Sequence, residues 1–462
     1  MSSPETQSSQ GVLRKELNLL LLIFLMIGLN IGGSLFTLTS AAAGLAGPAL
    51  ILAQIIAALP VLLAIVPYMI ITSIAPRSAA SYQYAKLFNY PLATSAVLVL
   101  LVAMPLGGLP LFALSAGKYI LLLLPGASEM VAGLPLYWDS LIAIIIVTIF
   151  YIINILGIKP SGIAQFIMTA IMILALVIFV LVGIPSVKME NFTPFFVGST
   201  LNFFAAAALS YTLLAGGLFG IELGDEVRKA HSTIPKSLII SLLIVLVLYI
   251  FIEFVAMGAV DWQAFAKGNL GAVAHTFMSE GLWVFFIIGG GILACITTVH
   301  AVLTISGRYT MVYAQDGFFP SFLQRINKRF DTPVWGLTLP YVLCVIMLLF
   351  VRDITIFGAM LNFGLLYMVT LVLLTAYKLP RAHPELFSQS KFKIKPSIVS
   401  ATAISACVLN IIFMLFLVLI IFMRNMAWAF WLFAIAIVVG VVMYYVRKKQ
   451  GALRQVDLSE YK

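Results

Sequence analysis

The stretch that decides the fold is Gly28-Leu29-Asn30-Ile31-Gly32-Gly33-Ser34. It lies inside the first long hydrophobic run of the chain, residues 17–42. A run of about 20 mainly apolar residues predicts a helix that spans a membrane. Closely spaced glycines weaken such a helix, because each lowers helix propensity and tolerates backbone conformations that other residues avoid. The sequence therefore predicts a spanning helix that is interrupted near its middle, and we call residues 28–34 the first break.

The composition indicates that this helix is one of many. Of the 462 residues, 62% are hydrophobic and only 10% are charged. That leaves too little polar material to cover soluble domains, so lipid is the expected solvent. We predict an all-α polytopic membrane protein with twelve transmembrane helices. The expected spans are residues 17–42, 49–74, 93–124, 138–157, 161–185, 198–222, 237–260, 281–306, 334–351, 354–378, 397–423 and 427–446.

The sixth span contains a second break, Leu214-Ala215-Gly216-Gly217-Leu218-Phe219-Gly220. Both breaks match the small-residue spacing of tightly packed membrane helices, with Gly28-x-x-x-Gly32 in one and Gly216-x-x-x-Gly220 in the other. Breaks at corresponding positions of two halves are also typical of the midplane binding site of an inverted-repeat transporter. The reason is that unwound backbone survives in a membrane only where it faces protein, water or a solute. We favour a binding site and keep helix packing as the alternative.

The net charge of +10 suggests a nucleic-acid partner until the basic residues are assigned to sides of the membrane. In the twelve-span arrangement, 22 of the 27 Lys and Arg residues lie on the side that holds both termini. The other five are Lys118, Lys188, Lys267, Arg352 and Arg424. This asymmetry follows the positive-inside rule. It predicts a multi-pass protein of the cell membrane with both termini cytoplasmic and no nucleic-acid partner.

Several motifs resemble those of the amino acid–polyamine–organocation (APC) permeases. In chain order they are Ile31-Gly32-Gly33-Ser34-Leu35-Phe36, Pro76 to Tyr82, Asp225-Glu226-Val227-Arg228, Gln315-Asp316-Gly317 and Pro384-Glu385-Leu386. Three departures accompany them. Ala79-Ala80 replaces a glycine pair, Lys229-Ala230 replaces Asn-Pro, and Gly216-Gly217-Leu218 stands where many members carry Gly-Phe-Glu.

This resemblance implies a LeuT-type fold of two inverted five-helix repeats with broken helices 1 and 6, plus two peripheral helices. The expected division is a polar cytoplasmic N-terminus at 1–16, repeats at 17–185 and 198–378, peripheral helices at 397–446 and a cytoplasmic tail at 447–462. The implied function is secondary transport of amino acids by alternating access. Transport of a related amine, polyamine or small organic acid, or a sensing role without transport, remains an alternative.

A site for an amino-acid zwitterion follows from the backbone of the two breaks. Free N–H groups and the positive end of the outer half of helix 1 suit the carboxylate. Carbonyl groups left open on the other side of the first break and in the second break suit the ammonium. The predicted substrate-binding residues are Ile31, Gly32, Gly33, Ser34, Leu214, Ala215, Gly216 and Gly217. The missing Phe and Glu of helix 6 favour an apolar substrate side chain.

Coupling has several candidates. By resemblance, Met172 stands where proton-linked members carry a lysine. A candidate sodium site comprises Gly28, Ile31, Thr297 and Thr298, since oxygen ligands suit a hard cation. The alternative is that each threonine bonds a carbonyl of its own helix, with uncoupled facilitation or exchange as the default.

Charged and titratable groups supply gating and coupling candidates. His300 is either a proton relay or a packed histidine. Glu253 is either a proton site or, as we prefer, a solvated charge at the extracellular vestibule. Asp225, Glu226 and Arg308 are expected to form an inner gate of salt bridges. We find no metal-spacing motif, no catalytic constellation and no ATP-binding loop, so neither an enzyme nor a cofactor is expected beyond a coupling Na⁺ or H⁺.

Overall fold

The structure is a computed structural model that describes residues 17–77, 79–124, 130–131, 136–156, 161–222, 224, 227–327, 332–451 and 453, without the side chains of 161–165. Within these residues it is all-helical, and its few β-bridges are isolated pairs. The first half contains α1 (Leu19–Ile31), α2 (Gly33–Ala46), α3 (Leu50–Ile74), α4 (Ala80–Phe88), α5 (Tyr90–Ala103), α6 (Leu109–Leu122), α7 (Trp138–Leu156) and α8 (Ser161–Gly183).

The second half begins with α9 (Thr200–Ser210) and α10 (Thr212–Ala215), which run into a 3₁₀ helix at Gly216–Glu222. It continues with α11 (Ala230–Ala259), α12 (Trp262–Lys267), α13 (Leu270–His275), α14 (Glu280–Phe285), α15 (Leu293–Gln315), α16 (Val334–Phe350), α17 (Ile354–Ala382), α18 (Pro384–Ser388), α19 (Pro396–Met423) and α20 (Ala427–Lys449). The π-helical segments Met104–Gly108 and Phe286–Ile292 join α5 to α6 and α14 to α15.

Helix ends are set by local chemistry that the sequence carries. Asn18 accepts a hydrogen bond from the N–H of Leu21 and caps α1, and Asp353 caps α17 in the same way. These side chains satisfy N–H groups that have no partner inside the helix. Two other helices start differently: Ala79 before α4 and Lys229 before α11 both have a φ of 50°, in the left-handed region.

Ten helical segments of the described chain are long and apolar enough to cross a membrane. The central ones are enclosed by protein, with 94% of the most apolar window buried in Ile354–Ala382 and 89% in Thr200–Glu222. In Ala427–Lys449 only 22% is buried. Large apolar side chains on the outside, such as Leu415 and Val438, are more than half exposed. Lipid is the solvent that such a surface requires.

The first predicted span and the second form one segment here. Leu19–Ile74 is 56 residues long and holds α1, α2 and α3. Gly47 interrupts it with a φ of 58° between α2 and α3. Val334–Phe350, which corresponds to the ninth predicted span, is a shorter apolar helix of 17 residues and is not among these ten.

Candidate functional site

Within the first break, the helix is interrupted at a single residue. Helix α1 ends at Ile31, Gly32 lies between the helices, and α2 begins at Gly33. The N–H of Leu35 bonds the carbonyl of Gly32 at 3.2 Å. The N–H groups of Gly33 and Ser34 belong to the first turn of α2, where a helix provides no acceptor of its own. The first break thus presents N–H groups and the positive end of α2 inside the helical bundle.

In the second break the interruption is longer, a 3₁₀ segment at Gly216–Glu222, and it lies directly against the first break. A β-carbon added at Gly216 would collide with the carbonyl oxygen of Leu29, and one added at Gly217 would lie 2.5 Å from Nδ2 of Asn30. The N–H of Gly217 donates a hydrogen bond of 2.6 Å to Oδ1 of Asn30. The two glycines therefore let the breaks meet backbone to backbone, and Asn30 joins them.

The glycines of the first break face other helices. A β-carbon at Gly33 would lie 2.8 Å from Sγ of Cys295 in α15 and 2.8 Å from a ring carbon of Phe112 in α6. One at Gly32 would collide with the side chain of Thr298, also in α15. Tight packing, the alternative interpretation from sequence, is present at these two glycines. It does not exclude a binding role, because the free N–H groups of the first break lie beside the same contacts.

The eight predicted substrate-binding residues all lie at the two breaks. Ile31, Ser34, Leu214 and Ala215 are buried, with at most 1% of each residue exposed. Leu214 and Ala215 belong to the short helix α10, so their carbonyl groups immediately precede the 3₁₀ segment. The arrangement brings the predicted residues of helix 1 and helix 6 together, and their role in binding stays a prediction.

A small cavity adjoins this junction. Asn30, Gly217 and Leu218 form its wall at the two breaks. The rest of its lining is mostly aliphatic and comes from α3, α10 and α11: Val61, Ile65, Leu214, Leu238, Ser241 and Leu242. Gly217, which by resemblance stands where many APC permeases carry phenylalanine, therefore borders on this cavity and on the Asn30 amide.

The candidate sodium site has its threonine hydroxyls in use. Thr297 and Thr298 donate to the carbonyl of Ala294 at 3.0 and 2.8 Å. This is the bonding within one helix that we expected as the alternative. Thr298 nevertheless contacts Gly32, so the pair lies beside the first break. The sodium site stays a prediction.

His300 is a packed, hydrogen-bonded histidine in this structure. Its Nδ1 lies 3.0 Å from Nδ2 of Asn154, whose Oδ1 accepts from Thr304 at 2.7 Å. Because the oxygen of the Asn154 amide accepts from Thr304, its NH₂ group faces the His300 ring and donates to Nδ1. The ring also lies 5.8 Å from that of Phe150. Of the two interpretations from sequence, packing is the one that these contacts favour.

The predicted inner gate is only partly within the described chain. Arg308 is half-buried on α15, and Asp225 and Glu226 lie outside the described residues. The salt bridges expected among the three stay a prediction.

Glu253 contradicts our preferred expectation. We expected a solvated charge at an outer vestibule, but the residue is 0% exposed, and neither carboxylate oxygen has a hydrogen-bond partner among the described residues. It lies on the inward face of α11, where Tyr249 and Ile252 are buried as well. The direction in which the Glu253 side chain points was not readable from the sequence.

Sequence reasoning missed three polar connections. The first is the bond between Asn30 and the Gly217 N–H: Asn30 lies inside the first break, but no function was predicted for it from the sequence. Tyr249 of α11 donates a hydrogen bond of 2.7 Å to the backbone carbonyl of Asn30. The sequence does contain a signal for this pairing: Asn30 and Tyr249 each lie in the middle of an apolar span. A polar side chain at such a position is costly in a membrane unless it is paired.

The third missed connection holds α4 between two carboxylates, and we call it the α4 clasp. The Ser81 hydroxyl donates to Glu222 at 2.5 Å. Lys86 and the Tyr82 hydroxyl bond the same oxygen of Asp316 at 3.0 and 2.6 Å. Burial and the Asp316 carboxylate raise the pKa of Tyr82, so its hydroxyl stays a donor. The clasp joins the end of the 3₁₀ segment, just after the second break, to the end of α15.

These features define a class: a multi-pass membrane transporter whose interior is built around two interrupted helices. The sequence profile of the amino acid permease family matches residues 17–444, and the chain belongs to that family. The family is one of membrane transporters rather than enzymes.

Individual relatives agree with this assignment. The chain is 28% identical to the branched-chain amino acid permease BcaP of Bacillus subtilis, over 97% of this chain and 96% of that protein. It is 26% identical to the methylthioribose transporter of the same organism, again over 97% and 96%. It is 26% identical to the vacuolar cationic amino acid transporter 2 of Arabidopsis thaliana, over 83% of this chain and 63% of that protein.

Proposed function

We propose that this protein moves an amino acid with an apolar side chain across the cell membrane by alternating access. The observation that carries the proposal is the direct backbone contact between the two breaks, at Leu29–Asn30 on one side and Gly216–Gly217 on the other. Two interrupted helices that meet at mid-membrane offer unpaired donors and acceptors at one point. A zwitterion needs both.

The carboxylate of the substrate would bind the N–H groups of Gly33 and Ser34 at the positive end of α2. The ammonium group would bind carbonyl oxygens at the end of α1 and at Leu214 to Gly216. Unpaired burial of either charge would cost several kcal/mol, so both walls are needed. None of the eight residues is charged, which suits a substrate that brings charges of both signs.

The side chain of the substrate is proposed from two observations. Position 217 carries no side chain, and the cavity beside it is lined mainly by Val, Ile and Leu. BcaP, which matches this chain along nearly its whole length, is a branched-chain amino acid permease. The similar match to a methylthioribose transporter supports a second candidate, a small neutral thioether sugar.

The proposed architecture has twelve crossings in the arrangement that the sequence predicted. Leu19–Ile74 is too long for one crossing, because 56 helical residues extend about 84 Å against a hydrocarbon core of about 30 Å. Counting it as two and adding Val334–Phe350 brings the ten segments to twelve. Repeats at 17–185 and 198–378 then place the breaks in equivalent helices, and the distribution of Lys and Arg favours cytoplasmic termini.

Reconstitution of the purified full chain into proteoliposomes tests the function. We expect labelled leucine, isoleucine and valine to exchange with unlabelled leucine trapped inside, and lysine, arginine and glutamate to exchange much less. Methylthioribose is assayed in parallel, and protein-free liposomes are the control. Exchange of methylthioribose alone would replace the proposed substrate with the second candidate. Absence of exchange for every amino acid would contradict amino acid transport.

A further inference from the structure

Glu253 is a buried carboxylate that the proposed binding site does not use. It lies in α11, six residues before the end of the helix at Ala259, which corresponds to about 9 Å along the axis. The residue is 0% exposed, and both of its carboxylate oxygens lack a hydrogen-bond partner among the described residues. Polar groups buried this deeply are nearly always bonded, so an unpartnered carboxylate requires an explanation.

No countercharge accompanies it within the described chain. The charged or titratable side chains on neighbouring segments at this end of α11 are exposed to solvent: Lys188, Glu190, Asp261, Lys267 and His275. Helices α1, α2, α3 and α8 contain no Asp, Glu, Lys or Arg. Of the remaining titratable groups, Tyr68 neighbours Glu222 near the α4 clasp, and Tyr249 lies one turn from Glu253 on the same helix.

An ionised carboxylate in these surroundings would be strongly destabilised. Moving the charge out of water has a large free-energy cost, and uncharged neighbours that form no hydrogen bonds with the carboxylate do not offset it. The arrangement seen here is therefore compatible with the neutral carboxylic acid. The ionised group requires water, which means opening of the bundle around this half of α11.

The position of Glu253 connects this requirement to the substrate site. Tyr249, one turn away, donates to the carbonyl of Asn30, whose side chain accepts from the N–H of Gly217. Helix α11 is thus bonded to the residue that joins the two breaks. The Tyr249 bond therefore connects the segment of α11 that carries Glu253 to the junction of the two breaks.

We propose that Glu253 is the proton-binding group of this transporter and that a proton moves with each substrate molecule. The inference rests on the transport function proposed above. With the site open to the outside, hydronium transfers its proton to a carboxylate oxygen of Glu253 and leaves water. The neutral side chain permits the closed arrangement, and opening to the cytoplasm returns the proton to water. A zwitterion and one proton carry one positive charge inward per cycle.

The coupling is thermodynamic. A ligand shifts a conformational equilibrium only by its difference in affinity between the states. The proton has such a difference, because the closed state excludes water from Glu253 and tolerates only the neutral form.

The test uses proteoliposomes with an inward proton gradient and a trapped pH dye. We expect the native chain to accumulate leucine against its gradient and leucine addition to acidify the lumen. Glu253→Gln keeps the size and polarity of the side chain but cannot carry a proton. It should lose both signals and retain downhill counterflow, which requires no net proton movement. Glu190→Gln, an exposed glutamate on the same side, is the matched control and should behave as the native chain.

An infrared measurement gives a second readout that does not depend on transport. The native protein in lipid should show a carboxylic-acid C=O band near neutral pH that Glu253→Gln lacks and Glu190→Gln retains. Should Glu253→Gln fail to insert, Glu253→Asp replaces it, and its proton-driven uptake should have a shifted pH midpoint. An unshifted profile would overturn the proposal.

Two results separate this inference from the transport proposal. Proton-driven accumulation that Glu253→Gln leaves intact would overturn the role of Glu253 while amino acid transport stands. The same holds for accumulation that follows a sodium gradient and ignores the proton gradient. A native chain that exchanges no amino acid would instead contradict the transport function, on which this inference rests.

Discussion

The two breaks carry the same glycine signal, yet their glycines contact different parts of the molecule. In the first break, Gly32 and Gly33 accommodate side chains of α15 and α6. In the second, Gly216 and Gly217 accommodate the backbone and side chain of helix α1 itself. Only the second pair therefore determines how closely the two breaks approach. The comparison teaches that helix packing and site formation are both served by glycine, at separate positions of one motif.

The largest expected effect is at Gly216. Gly216→Ala places a methyl group against the Leu29 carbonyl oxygen, and because both are backbone-anchored, one break must move. We expect a destabilisation of about 3 kcal/mol and loss of uptake. Thermal unfolding in detergent and leucine counterflow measure the two. Gly281→Ala is the matched control, since no atom lies within 4 Å of its added carbon. Native uptake by Gly216→Ala would refute the proposed junction.

A smaller effect is expected at Gly33, because its neighbours are side chains that can shift. Gly33→Ala should destabilise by about 1–2 kcal/mol through Cys295 and Phe112. Cys295→Ala in the same chain removes the sulfur and should restore part of the stability and the uptake. Cys344→Ala, a buried cysteine in α16, should not. Equal behaviour of the two cysteine variants would mean that the loss at Gly33 is not due to packing against Cys295.

The Asn30 bridge should affect transport more than stability. Asn30→Ala removes the acceptor for the Gly217 N–H, whereas Asn30→Asp keeps an oxygen there. Loss of a hydrogen bond that contributes about 1.4 kcal/mol changes an equilibrium constant about tenfold. We expect Asn30→Ala to lower counterflow by about that factor and Asn30→Asp to retain more of it. The reverse order would show that the amide and not the acceptor matters.

At Thr298 the expected effect on transport is close to zero. Its hydroxyl bonds the Ala294 carbonyl, and Thr298→Ser keeps that bond while Thr298→Ala loses it. We expect both variants and the native chain to take up leucine equally with sodium or choline in the medium. A sodium stimulation that only Thr298→Ala abolishes would support the predicted sodium site beside the first break.

Much of the fold was readable from sequence because lipid imposes a length and a composition on every spanning helix. The breaks at Gly32 and Gly216 were readable because few other residues permit backbones to approach so closely. Burial of Glu253 was not, since a charge near a helix end predicts solvation whichever way the helix is rotated. The Asn30 bridge and the Glu222 contact with Ser81 were missed for a related reason. Each joins residues more than 100 positions apart, and no local pattern reports such a pairing.

The residues that precede α4 and α11 have a left-handed backbone conformation, and this suggests two stabilising substitutions. Ala79 and Lys229 both have a φ of 50°, a conformation that glycine adopts freely and asparagine tolerates. Both stand where the family motifs carry those residues, glycine and asparagine. Ala79→Gly and Lys229→Asn should each relieve about 1 kcal/mol of backbone strain. We expect the double variant to have a higher melting temperature in detergent and unchanged counterflow, which would make it a more stable sample for cryo-electron microscopy. An unchanged melting temperature would contradict the strain.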